Sequence, residues 1–328
     1  MFDTIIGGHI TLVFTVEKDG RLLRNQGSRG FGLNIDHGVS ASVLEIKSGK
    51  EKIEQELSAG SSLDGEKIFQ DGLIEVKVED MHGKEILDSS KMYFDLVEEL
   101  RHAKLLDRAS SYRIEVKLDL PTSQGFGMSA AGLVAVAYAF RELTGRGLSG
   151  QYLRLCHRIE RLHGSGLGDV LGISAGGVEI RLQAGAPGAS GRALGFPCPQ
   201  RILLAWQPFE KRHTSKYIDD PNWQKKISRA GNSAVNSMKN KPWNHDQWDQ
   251  ILTQSRNFAE QSELLEELER KQLLTKAREI IIELDLQVKT SIRLCMLGTS
   301  LVFLPRKLTN PFKEKELEQI SEKLEQIG

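Results

Sequence analysis

The sequence predicts an α+β chain in two parts, and three observations carry that reading. Ile114, Val116, Leu118 and Leu120 alternate with Arg113, Glu115, Lys117 and Asp119, the period of a half-buried strand. The stretch 128–143 has no proline and no glycine after Gly132, and it is dense in Ala, Leu and Val, so it reads as a buried helix. Between Gln183 and Gln200 lies QAGAPGASGRALGFPCPQ, poor in charge and crowded with Gly, Ala and Pro. That composition suits a linker or long surface loop, so the expected division is a first domain over 1–183, a connection over 184–200 and a second domain over 201–328.

Each element follows from local pattern. The first forty-odd residues alternate β-like segments with turns at Asp19-Gly20 and across 27–32, and 65–78 reads as a hairpin before a helix near 90–105. After the strand at 114–120 comes a glycine-rich loop, the helix at 128–143, and a second helix in SGQYLRLCHRIERLHG. Beyond the connection, ILLAWQP reads as a strand and 222–281 as mostly polar helix. There apolar residues recur at helical spacing, so its charge-rich run is a solvated amphipathic face. IRLCMLG and SLVFLP read as a closing hairpin, and no internal repeat is present.

Bulk composition narrows the function classes. Of the 328 residues, 39% are hydrophobic and 27% charged, enough for two packed cores. Lys plus Arg and Asp plus Glu stand at 44 each, so no basic field favours nucleic acid or an anionic membrane. Small-molecule chemistry is the expectation. Cys156, Cys198 and Cys295 are scattered, which argues against a disulfide framework or zinc site and for a reducing cytoplasm. The N-terminus lacks a basic leader, and no apolar run is long enough to span a bilayer, so a soluble protein is expected.

The order strand, glycine loop, helix N-terminus aims unpaired backbone N–H groups and the positive end of a helix dipole at one point, a setting for phosphate. A Walker loop needs a lysine followed by Ser or Thr after its last glycine, and none occurs here. A dinucleotide loop fits Gly125, Gly127 and Ala130, but the next strand with its acidic end is missing. A loop whose glycines only let a helix pack closely on a sheet is the bland alternative. The run Pro121-Thr-Ser-Gln-Gly125-Phe126-Gly127-Met128-Ser129-Ala130-Ala131 resembles the P-x-x-x-G-L-G-S-S-A-A motif of the GHMP kinases, with Phe126 and Met128 in place of Leu and Ser. GGHITLVF, GSRGFGLNIDHGV and GSGLGDVLGISAGG are similar to stretches of the archaeal pantoate kinases. The motif that GHMP kinases carry near the C-terminus is reduced to MLGTSLVF, which keeps Gly298 alone.

This resemblance implies a two-domain GHMP kinase fold, with an N-terminal part like domain 2 of ribosomal protein S5 and a C-terminal α/β sandwich. It implies ATP and Mg²⁺ as cofactors, pantoate as acceptor in coenzyme A biosynthesis, and no nucleic-acid or membrane partner. Whether the chain is a monomer or a homodimer stays open. Pro121, Gly125, Phe126, Gly127, Met128, Ser129, Ala130 and Ala131 would cradle the nucleotide phosphates, with Ser129 and Glu160 on the metal. Glu160 paired on its helix with Arg161 is the bland alternative. Asp169, after the alternating Gly164, Gly166 and Gly168, matches the aspartate that faces the acceptor hydroxyl as base or charge stabiliser, although no lysine in the first motif stands ready to partner it. A helix cap is its alternative role. For the acceptor carboxylate, Arg29 with Ser28 is the leading candidate and His9 and Arg158 are weaker ones. Competing functions are another small-alcohol kinase of the same fold acting on homoserine or mevalonate, a catalytically silent metabolite-binding protein of that fold, and a dinucleotide-dependent oxidoreductase.

Overall fold

A computed structural model describes residues 2–46, 71–207 and 219–326. Two sheets organise the chain. The first has six strands: β1 (Phe2–Phe14), β2 (Gly30–Ile46), β3 (Ile74–Glu79), β4 (Ser111–Leu118), β5 (Val178–Gln183) and β6 (Arg192–Phe196). The long β2 pairs antiparallel with β1 along one edge. Its other edge pairs with β4 over 39–46 and with β5 over 30–33, so one strand links both halves of the sheet. β3 lies parallel to β4, which places it beyond a local hairpin; of the hairpin expected over 65–78, residues 65–70 lie outside the described residues.

On one face of this sheet lies α2 (Met128–Thr144), against β1 and β2, and beside it α3 (Ser149–His163), with α1 (Lys91–His102) touching both. The sequence makes α2 a buried helix because it is apolar nearly all round: Ala131, Leu133, Ala135, Val136, Ala137, Ala139 and Phe140 are fully buried. A short helix, α4 (Asp169–Ala175), follows and leads into β5.

The stretch expected as a connection is part of this sheet. Strand β6 lies within 184–200 and pairs antiparallel with β5, from Val178↔Phe196 to Gln183↔Arg192. Its small residues gave no alternating apolar signal because β6 is an edge strand with Arg192, Gly195 and Leu194 exposed.

The second sheet orders β7 (Leu203–Trp206), β9 (Ser300–Pro305) and β8 (Thr290–Leu294), all antiparallel, so the closing hairpin forms as expected. The polar helical region resolves into α5 (Pro221–Met238), α6 (Trp248–Gln261) and α7 (Leu268–Glu283), and α8 (Glu314–Glu325) closes the chain. Helices α5 and α6 reach β1, where Phe14 meets Phe258 edge to face at 5.5 Å between centroids. One apolar core therefore runs from the first sheet into the second.

Candidate active site

Strand β4 ends at Leu118 and the chain enters the loop 119–127, whose shape depends on left-handed backbone at Gly125 (φ +78°) and Gly127 (φ +68°). A Cβ at Gly125 would stand 2.7 Å from the Met296 carbonyl oxygen, and one at Gly127 would stand 2.9 Å from the His9 backbone N and O. Neither position admits a side chain. Gly127 is the N-cap of α2 and offers no side chain to its first turn, so the N–H groups there remain available to a ligand.

The loop forms one wall of a cleft of about 430 Å³. Pro121, Gly125, Phe126, Gly127, Met128, Ser129 and Ala130 all line it, and Ala131 lies fully buried behind them in the α2 packing. Opposite stands the segment 163–169, ending in Asp169, with Ser28 and Arg181 deeper in and Met296 and Leu297 of the second sheet's β8–β9 turn closing one side. A larger cavity of about 600 Å³ lies between residues 34–37 of β2 and residues 198–204, and it holds none of the candidate catalytic, metal or substrate residues.

Asp169 opens α4, but its side chain does not cap that helix. Oδ1 accepts hydrogen bonds from His9 Nδ1 at 2.7 Å and from the Thr11 hydroxyl at 3.3 Å. Burial pushes the Asp169 pKa up, while the hydrogen bond and charge of His9, with Arg181 behind, outweigh it and hold the carboxyl below its usual range. The side chain stays 23% exposed, on the cleft side.

Glu160 behaves in the opposite way. It is 1% exposed, neither oxygen has a hydrogen-bond partner of normal geometry, and burial, with the nearby Asp169 charge, lifts its pKa to about 8. Arg161 does not pair with it, since that guanidinium donates to the Gly166 carbonyl instead. Gly166 lines the cleft with Glu160 directly behind it: a Cβ there would overlap Glu160 Oε1 and stand 2.8 Å from Asp169 Oδ2. Two carboxylates thus converge on one glycine. Among the described residues, no group of three or more His, Cys, Asp and Glu side chains is placed to hold a metal ion. The donors at hand are the orphaned oxygens of Glu160 and the Ser129 hydroxyl, an all-oxygen pair that fits Mg²⁺, which keeps several waters.

The acceptor candidates separate. Ser28 lies on the cleft, its hydroxyl donating to the Arg29 carbonyl at 2.9 Å and accepting from the Thr15 N–H at 3.3 Å. Arg29 does not share that wall. Its side chain goes to other partners, Nε donating to Glu17 at 2.7 Å and Nη2 to the Asn232 side chain. Arg158 is on the outer face of α3, 51% exposed and paired with Glu99 at 3.0 Å. His9 is fully buried behind Asp169 and does not line the cleft.

Three functional neighbours escaped sequence reasoning. Arg181, 1% exposed, lines the cleft next to Ser28, and a Cβ on the intervening Gly168 would be 2.6 Å from its Nη1. Glu179 and Thr11 support Asp169 through His9 and directly. The signal for Glu179 and Arg181 was present, as two charged residues in the apolar strand VEIRLQ, but it says nothing of where they point. His9 gives Asp169 the basic partner that no lysine of the first motif supplied.

Residues 93–177 match the family model described as "GHMP kinases N terminal domain". A protein of Methanospirillum hungatei described as pantoate kinase is 31% identical over 263 residues, covering 79% of this chain and 74% of its own length. The chain belongs to the GHMP kinase family. A second relative, the pantoate kinase of Thermococcus kodakarensis, is 32% identical over 191 residues, and this GHMP kinase spans 57% of that protein's length. Among solved structures, one titled "Phosphotransferase related to CoA biosynthesis pathway" superposes with a TM-score of 0.70 at 24% identity, covering 99% of this chain and 92% of that one. The likeness extends the shared fold across both sheets.

Proposed function

We propose that this GHMP kinase transfers the γ-phosphoryl group of ATP to the terminal hydroxyl of pantoate, yielding 4-phosphopantoate for coenzyme A synthesis. One juxtaposition carries the reading: a phosphate-accepting helix N-terminus, the ionised Asp169 and the buried guanidinium of Arg181 share a single cleft. ATP phosphates would lie on the loop 121–127 and the first turn of α2. The pantoate carboxylate would meet Arg181 and the Ser28 hydroxyl, and the hydroxyl at its far end would reach Asp169. The two relatives described as pantoate kinases support this choice of acceptor. Free Cys156, Cys198 and Cys295 suit work in a reducing cytoplasm.

In the transfer, the acceptor oxygen forms a bond to the γ-phosphorus as the bond from that phosphorus to the bridging oxygen of ADP breaks. The departing hydroxyl proton passes to Asp169 Oδ2, the carboxylate oxygen not occupied by His9 and Thr11, and from there to solvent. Ser129 and Glu160 would hold Mg²⁺, which would supply positive charge against the nucleotide phosphates.

The test is ADP release, with the product followed by phosphorus NMR, across pantoate, homoserine, mevalonate and simple hydroxy acids. Saturable turnover of pantoate at least about tenfold more efficient than of any other acceptor is expected. Preference for homoserine or mevalonate, or no turnover with any alcohol, would refute the assignment.

A further inference from the structure

His9 sits where β1 departs from regular pairing. Gly7 faces Gly38 and His9 faces Asn34, so the register shifts between them and the His9 N–H turns to the Phe126 carbonyl of the phosphate loop at 3.0 Å. The ring is held flat between two backbones. A Cβ at Gly172 would stand 2.5 Å from Nε2, and one at Gly32 would stand 2.9 Å from it, so neither wall has room for a side chain and the imidazole has no room to turn.

Both ring nitrogens meet carboxylate oxygens. Nδ1 lies 2.7 Å from Asp169 Oδ1 and Nε2 lies 3.0 Å from Glu179 Oε1. Ionised carboxylates only accept hydrogen bonds, so this arrangement is satisfied when both nitrogens carry protons. The other charged groups facing the trio are Arg181, whose Nε is 3.4 Å from Glu179 Oε1, and Glu160 behind Asp169. Burial opposes an imidazolium here, and the two carboxylates overcome it, leaving the His9 pKa raised.

We infer that Glu179 is a positioning residue for phosphoryl transfer: by accepting from Nε2 while Asp169 accepts from Nδ1, it keeps His9 protonated on both nitrogens, and the charged ring anchors Oδ1 and leaves Oδ2 for the acceptor. Glu179 is fully buried and does not line the cleft, so it touches neither substrate. Without it, one of the two carboxylates that hold the buried ring doubly protonated is gone, and Asp169 faces a neutral imidazole whose weaker hydrogen bond fixes Oδ1 less firmly. The inference rests on the reading above that Asp169 faces the acceptor hydroxyl.

The decisive variant is Glu179→Gln in the full chain, alongside Glu179→Asp, which keeps the charge on a shorter arm. We expect Glu179→Gln to lower kcat by about ten- to a hundredfold, as loss of an outer partner does elsewhere, with KM for ATP and pantoate within about threefold of wild type. Glu179→Asp should recover part of that loss. A kcat within about twofold of wild type in a folded Glu179→Gln protein would overturn the inference, as would rises in both KM values that match the fall in kcat. Nitrogen-15 NMR of the wild-type imidazoles tests it without turnover or a stable variant, and so separates its failure from failure of the pantoate reading. The His9 resonance, identified by its loss in His9→Gln, should show both nitrogens protonated at neutral pH. A single neutral tautomer would refute it.

Discussion

At the scale of single residues, the cleft sets two carboxylates apart by environment alone. Asp169 is held ionised by a cation at its back, whereas Glu160 is buried without a hydrogen-bond partner and drawn toward its neutral form. Asp169→Asn keeps shape and loses charge, so kcat should fall by about two to four orders of magnitude at unchanged melting temperature, measured at saturating ATP and pantoate. Arg181→Gln should raise the KM for pantoate at least about tenfold more than that for ATP, while Arg29→Ala, which frees Glu17 and Asn232, should leave the pantoate KM within a few-fold. Steady-state kinetics of both variants would reverse the assignment if Arg29 proved the more sensitive. His157 tests stability. Burial lowers its pKa to about 4 from 6.5, its Nδ1 makes no hydrogen bond and lies 3.8 Å from Glu160 Oε2, and its Nε2 meets the Gln26 carbonyl at 3.1 Å. Between those two values the unfolded chain binds a proton that the folded chain refuses, so stability is lost as pH falls from 6.5 toward 4. In His157→Gln that acid-side loss should be smaller, as read from denaturant midpoints at pH 7 and pH 5.

Elements meet at the phosphate loop, and the meeting is tight. The β8–β9 turn packs on it so closely that a Cβ at Gly298 would overlap the Gln124 carbonyl, and the Ser300 hydroxyl donates to that same oxygen. The one glycine of MLGTSLVF is thus at a point of backbone contact with the loop. Phe126 fills the space behind the loop, stacked edge to face on Trp206 of β7 at 5.8 Å between centroids. Gly298→Ala should therefore destabilise the protein by about 1–3 kcal/mol and raise the KM for ATP, because the loop must shift to make room. Unchanged stability and nucleotide affinity would show that the turn yields freely.

Across the whole molecule, the cleft belongs to both sheets, since Asp169 and Ser129 come from the first part and Met296 and Leu297 from the second. Ligand binding should therefore stabilise the two parts together. At ATP a hundredfold above its dissociation constant, about 2.7 kcal/mol of added stability is expected, appearing as one calorimetric transition displaced upward. Two transitions, of which only one moved, would mean that the parts unfold independently and that the β8–β9 turn contributes little to binding.

Much of this was legible in the chain itself. Strand β4 was read from alternation, helix α2 from an apolar run without breakers, the β8–β9 hairpin from two short apolar segments, and the loop before α2 from glycines placed between a strand and a helix, because local backbone preference and apolar pattern decide those features within a few residues. The connection at 184–200 misled, since an exposed edge strand of small residues carries no such pattern. Arg29 shows the same limit, because sequence names a guanidinium without saying that it meets Glu17 and Asn232. Only the tertiary structure brought His9 of β1, Asp169 of α4 and Glu179 of β5 into one hydrogen-bonded row, across separations of 160 and 170 residues. Charge, burial and hydrogen-bond partners are properties of that assembly, and they are what hold the Asp169 carboxyl below its usual range while lifting that of Glu160 behind it.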